Sequence, residues 1–88
     1  MLTLPATLTQ TQASDCLEQL TQGVLQEAQQ VVVDAAPLSR FDSSALAVLL
    51  ALRRECARAG KRFAVQGLPQ RLRDLATLYG VAALLTPA

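Results

Sequence analysis

The stretch that most constrains the fold is residues 31–52, VVVDAAPLSRFDSSALAVLLAL. Three consecutive β-branched residues, Val31-Val32-Val33, favour extended backbone. The run is apolar at every position rather than at every second one, which suits a central strand covered on both faces of a parallel sheet. Pro37 has no amide hydrogen to give a ladder and ends the strand. Asp42-Ser43-Ser44 then stand where small polar side chains accept hydrogen bonds from the free N–H groups of a helix mouth. The helix they open runs from about Ser43 to Ala59, and Gly60 suits the left-handed position after its end. Strand, loop and helix in this order make half of a parallel crossover unit.

The flanking segments extend the same alternation. Leu2-Thr3-Leu4, stopped by Pro5, predicts a short strand at a sheet edge. Ala6 to Gln12 is polar and Thr-rich and reads as a loop. Ser14 or Asp15 can cap a first helix running to about Gln29, with Leu17, Leu20, Val24 and Ala28 inward and Cys16 and Leu25 flanking. Gly23 weakens that helix by up to about 1 kcal/mol relative to Ala. Lys61 to Gln66 predicts a third strand ended by Gly67. Pro69 fits the first turn of a third helix that presents Leu72, Leu75, Ala76 and Tyr79 and stops at Gly80. Val81 to Leu85 forms a half-helix or a packed tail. The β-α-β-α-β-α order argues for one α/β domain over residues 1–88, a mostly parallel sheet with helices packed on it.

Composition narrows the function. The chain has 88 residues and only 3% aromatics, so its core is built from Leu, Val and Ala. There is no histidine, which excludes a serine–histidine triad and removes the commonest metal ligand. Neither a GxGxxG nor a GxxxxGK[ST] pattern occurs, so no dinucleotide or P-loop nucleotide site is supported. Asp34 and Asp42 flank one loop, but two carboxylates without further ligands are better read as loop caps than as a Mg²⁺ site. No enzyme activity, metal or cofactor is expected. Cys16 and Cys56 lie among aliphatic residues with no CxxC spacing and read as reduced core thiols. The N-terminus lacks a basic region and is too polar for a signal peptide, and no apolar run approaches the roughly 20 residues that span a bilayer. A cytoplasmic protein is expected.

Net charge is +1, yet the charges are segregated. Met1 to Ser39 holds four acids and no base, whereas all eight bases lie from Arg40 onward, five of them between Arg53 and Arg62. With so low a net charge and few rings, a solvated helix face accounts for the bases better than nucleic-acid binding does. The second helix is more informative. Ala45, Leu49, Leu52 and Cys56 share one face, enough to dock on a sheet, while Leu46, Val48 and Leu50 leave its first turns apolar nearly all round. A helix with one covered side needs only a stripe, so the excess calls for a second neighbour, either another helix of the domain or another protein. Ser43 suits an N-cap, a role commonly worth about 1 kcal/mol, and also suits phosphorylation, since a helix N-terminus stabilises added negative charge.

Asp42-Ser43-Ser44-Ala45-Leu46, after a hydrophobic strand and a loop ending Leu38-Ser39-Arg40-Phe41, resembles the D-[ST]-[ST/A]-G-L signature of STAS domains. Gly67-Leu68-Pro69, Leu72, Leu75 and Ala76-Thr77-Leu78-Tyr79-Gly80-Val81 resemble the closing segment of the MlaB group within that family. The resemblance spans nearly the whole chain. It implies a small STAS-type fold with a mostly parallel, four-stranded or shorter sheet. It also implies a non-enzymatic module that binds the ATPase subunit of an Mla-type ABC transporter, which moves phospholipids to maintain outer-membrane lipid asymmetry. Contact with the membrane would then be indirect, through the transporter at the inner membrane. The contact residues it points to are Asp42, Ser43, Ser44, Leu46, Ala47, Leu50 and Arg54. The related anti-sigma factor antagonists imply an alternative, a switch phosphorylated on Ser43 by an anti-sigma factor kinase. The chain departs from the signature at Ala45, where the family usually has Gly, so the helix should start more rigidly. A small domain with an apolar helix face can also form a homodimer while its partner is absent.

Overall fold

The computed structural model describes residues 1–88. Its elements are β1 (Leu2–Thr3), β2 (Thr7–Leu8), α1 (Gln10–Val24), β3 (Gln30–Asp34), β4 (Arg40–Phe41), α2 (Ser43–Arg58), β5 (Arg62–Gln66), α3 (Gln70–Leu78) and a final 3-10 turn (Ala82–Leu84). The main sheet has the order β1-β3-β5 with every pair parallel. A parallel bridge between Val65 and Pro87 adds a further rung beside β5, so the tail covers that edge. β2 and β4 form a separate parallel pair, with Thr7 opposite Arg40 and Leu8 opposite Phe41. The expected α/β architecture with a small parallel sheet is present.

The sheet is covered on one face rather than both. Val31 and Val33 are fully buried, as is their neighbour Val65. Val32, between them, is half-buried, and its side of the sheet carries exposed Gln30, Arg62 and Gln66, with only the small Ala64 buried opposite Val32. The unbroken valine run therefore does not mean two covered faces. The pleat sends alternate residues to opposite sides, and the helices occupy one of them. Each fully buried Val or Leu on that side contributes about 1.5–3 kcal/mol of burial energy. The core gathers Leu4, Leu8, Val24, Val31, Leu49, Leu52 and Leu72 among others.

The first third of the chain departs most from expectation. Thr9, not Ser14 or Asp15, caps α1, and the supposed loop contains β2 and the first turn of the helix. The reason is a capping arrangement with Gln12, whose Oε1 accepts from the Thr9 N–H at 2.9 Å and from its Oγ1 at 2.7 Å. Ser14 and Asp15 are exposed inside the helix. α1 also ends at Val24, short of Gln29. Lys61 explains the early stop, because its Nζ donates to the Val24 carbonyl at 2.7 Å and to the Glu27 carbonyl at 2.6 Å. Ala28 thus lies beyond the helix and is exposed, while Leu25 is 75% exposed.

β4 likewise lies in the expected loop before Asp42, where it pairs with β2, while the longer strands and the second and third helices fall close to where the sequence puts them. Gly60 follows α2 with φ +70°, the left-handed conformation only glycine adopts without strain. Gly67, at the end of β5, combines φ +68° with close approach: a Cβ there would sit 2.8 Å from the Ala36 Cβ. Pro69 stands at the cap of α3 rather than at its first helical position. On α3, Leu72 and Ala76 are buried, but Tyr79 is exposed and does not join the inner face.

The exposed helix mouth at Asp42

Asp42 organises this end of the domain. Its backbone is extended, with φ −128°, and its side chain turns back over α2. One carboxylate oxygen accepts from the Ser44 N–H at 2.8 Å, and the other accepts from the Gln10 N–H at 3.3 Å. Gln10 is the first residue of α1, so a single carboxylate caps two helices. The Ser44 N–H above all holds the Asp42 carboxyl below its ordinary range, with the Gln10 N–H acting in the same direction. The β2–β4 pairing beside it fixes the register of the two helix starts: Ser39 and Arg40 N–H groups both donate to the Ala6 carbonyl, at 2.8 and 3.0 Å. Behind them the Arg71 guanidinium of α3 stacks over the Phe41 ring at 4.8 Å, tying the third helix to the same loop.

With Asp42 as cap, Ser43 becomes the first residue of α2, exposed and with no intrachain hydrogen bond to its hydroxyl. The helical period carries its face on through Ala47, Leu50 and Arg54. Ser43, Ala47 and Arg54 are exposed and Leu50 is half-buried. These residues form one outward stripe, with Ser44 half-buried at its edge. Leu46 is placed differently. It is only 3% exposed and packs in the core, as does Val48 at 2%. The apolar excess of α2 is therefore largely taken up by its own domain, since α2 contacts α1 on one side and β5 and α3 on others. Ala45, the departure from the usual glycine, is completely buried, so its methyl group faces the core.

Two residues that position this helix pair were not foreseen. Lys61 reads in sequence as one cation among several, yet it closes the C-terminal end of α1. Arg71 reads as a solvated helix residue, yet it stacks on Phe41. Lys61 follows α2 yet closes α1, 37 positions earlier, so nothing local signals either contact. The thiols of Cys16 and Cys56 are both pushed up by burial, and for Cys56 Lys61 partly opposes the effect. No helix is long and apolar enough to cross a membrane. No group of three or more Cys, Asp or Glu side chains is placed to hold a metal ion.

A parallel sheet covered on one side, with a doubly capped helix mouth open to solvent, defines a small α/β domain whose distinctive surface is a helix face rather than a cleft. The family model described as Mlab, STAS domain matches residues 1–86, and the chain belongs to this MlaB-type STAS family. STAS domains are in general protein-interaction modules rather than enzymes. Comparison with curated proteins gives no match.

Proposed function

We propose that this chain binds the ATPase subunit of an Mla-type, phospholipid-transporting ABC transporter and supports its assembly or activity. It would work at the cytoplasmic side of the inner membrane and touch the membrane only through the complex. The contact is the α2 face that begins at Asp42, Ser43 and Ser44 and continues through Ala47, Leu50 and Arg54. Leu46 supports that face from beneath. The observation that carries this reading is the outward stripe itself: in the first turns of a helix whose other sides there are buried, Ser43 and Ala47 leave room for a partner to approach closely.

Copurification of the full chain with an Mla-type ATPase subunit from the same organism tests the reading. Binding is expected, and Ser43→Lys, which puts bulk and charge at the head of the stripe, should weaken it at least tenfold with an unchanged circular-dichroism spectrum. Absence of binding by the unaltered chain would sink the proposal.

A second reading has one observation in its favour. The Ser43 hydroxyl is exposed and unbonded at a helix start, where a phosphate would be stabilised by the free N–H groups and the helix dipole. An anti-sigma factor antagonist would be phosphorylated there. Mass spectrometry of the Ser43 peptide after incubation with an anti-sigma factor kinase and ATP separates the two: an unmodified peptide counts against the switch.

A further inference from the structure

The charge segregation seen in sequence acquires a shape in three dimensions. Two ion pairs exist within the chain, the Met1 amino group with Glu27 at 2.6 Å and Arg58 with Glu55 at 3.0 Å. Arg53, Arg54 and Arg62 are exposed and have no carboxylate partner. Arg53 from α2 and Arg62 from the start of β5 nevertheless line the same groove, of about 330 Å³. Ala57, Phe63 and Thr86 supply other walls, and no carboxylate lines it. Lys61 also borders the groove, but its ammonium is engaged by the Val24 and Glu27 carbonyls. The groove thus holds two guanidinium groups with unspent donors, each able to bind a carboxylate through two parallel hydrogen bonds.

We propose that this groove receives an acidic segment of the protein partner, with carboxylates seated against Arg53 and Arg62. The inference rests on the reading of the chain as an interaction module and adds the chemistry of what it binds. Continuity supports it. Arg54 ends the stripe that starts at Ser43, and Arg53 and Ala57 adjoin it on the same helix, so one partner surface can cover both. The N-terminal half of that surface carries the Asp42 carboxylate, small side chains and Leu50; the C-terminal half is basic.

Charge complementarity favours a discrete acidic segment over an extended polyanion. The net charge of +1 provides little long-range attraction. An extended polyanion gains most from a high net positive charge, which this chain lacks, whereas a short acidic segment need meet only the groove. Phe63, the one ring lining the groove, is half-buried and offers no open stacking platform.

The test is amide NMR of the full chain titrated with an oligoglutamate peptide, with inorganic phosphate, and with vesicles of phosphatidylglycerol. The peptide should move the amides of Arg53, Ala57 and Arg62, and its affinity should drop about tenfold or more between about 50 and 300 mM salt. Arg53→Glu with Arg62→Glu should abolish these shifts. Arg53→Gln with Arg62→Gln should weaken them while leaving the rest of the spectrum in place, which guards against a folding artefact. Peptide shifts that are absent or lie elsewhere overturn the proposal. So does phosphate or vesicle binding at these amides that is tighter than the peptide's. The ATPase subunit provides the separate arm. If it binds the Arg53→Glu, Arg62→Glu chain as tightly as the unaltered one, the groove proposal fails and the interaction module stands. If it binds neither chain while the peptide result holds, the groove stands and the transporter partner fails.

Discussion

At one end of the α1–α2 pair the Asp42 carboxylate accepts from N–H groups at the start of both helices; at the other the Lys61 ammonium donates to carbonyls that close α1. Both contacts match charge to the helix dipole, an acid at the positive ends and a base at the negative one. Their surroundings differ. Lys61 is half-buried and reaches across from the strand side of the domain, so it fastens α1 to the start of β5. Asp42 is fully open to solvent beside the exposed stripe of α2. The lysine end holds the domain together, and the aspartate end presents a surface while keeping it ordered.

Replacing Lys61 by Met should break this comparison most severely. Two carbonyls lose their donor and the C-terminal turn of α1 loses its anchor, at a cost of about 1–3 kcal/mol. For a domain of this size that corresponds to a fall in melting temperature of roughly 4 °C or more, readable by calorimetry. Asp42→Ala should produce a smaller fall, since water can replace an exposed cap. Equal or larger destabilisation from Asp42→Ala would show that the aspartate end is the structural one.

Acid unfolding sharpens the contrast. The folded chain holds the Asp42 carboxyl below its ordinary value, so the ionised form favours folding. That stability is complete above about pH 4, where the side chain is ionised even in the unfolded chain, and it is lost as pH falls through the lower folded-state value. Asp42→Asn should flatten this part of the stability–pH curve by lowering its neutral region, and leave the acid limit, where Asp42 is already protonated, nearly unchanged. Lys61→Met should lower the whole curve without changing its acid slope.

The smallest effect concerns the thiols. Cys56 is completely buried on α2, whereas Cys16 on α1 is partly exposed. Native-state alkylation should therefore modify Cys16 first. Burial raises both thiols, so the folded state keeps them protonated; that contribution is present below about pH 8.5 and fades as pH rises through the folded values. Lys61→Met should narrow the difference in alkylation rate by loosening the helix pair. An unchanged ratio would mean that α1 stays docked without its lysine.

The candidate site was readable in sequence where its causes are local. Asp42 before a long helical pattern is a cap by residue type and position, and the spacing of Ser43, Ala47, Leu50 and Arg54 follows from the helical period. Leu46 was misplaced on the contact surface for a specific reason. Periodicity gives the direction of a side chain around its helix, but not how far neighbouring elements wrap that helix. α2 contacts α1, β5 and α3, and both Leu46 and Val48 are buried within that packing. The same uncertainty made a fully apolar valine run look like a strand covered on both faces.

Local chemistry thus set the order of strands and helices, the cap at Asp42, and the stops at Gly60 and Gly67. Each of these depends on the conformational preference of one or two adjacent residues. Tertiary structure alone determined the two-residue pairing of β2 with β4, the closure of α1 by a lysine 37 positions beyond Val24, and the meeting of Arg53 and Arg62 in one groove. These contacts bring together residues far apart in the chain, and their partners become neighbours only after the parallel crossovers have folded.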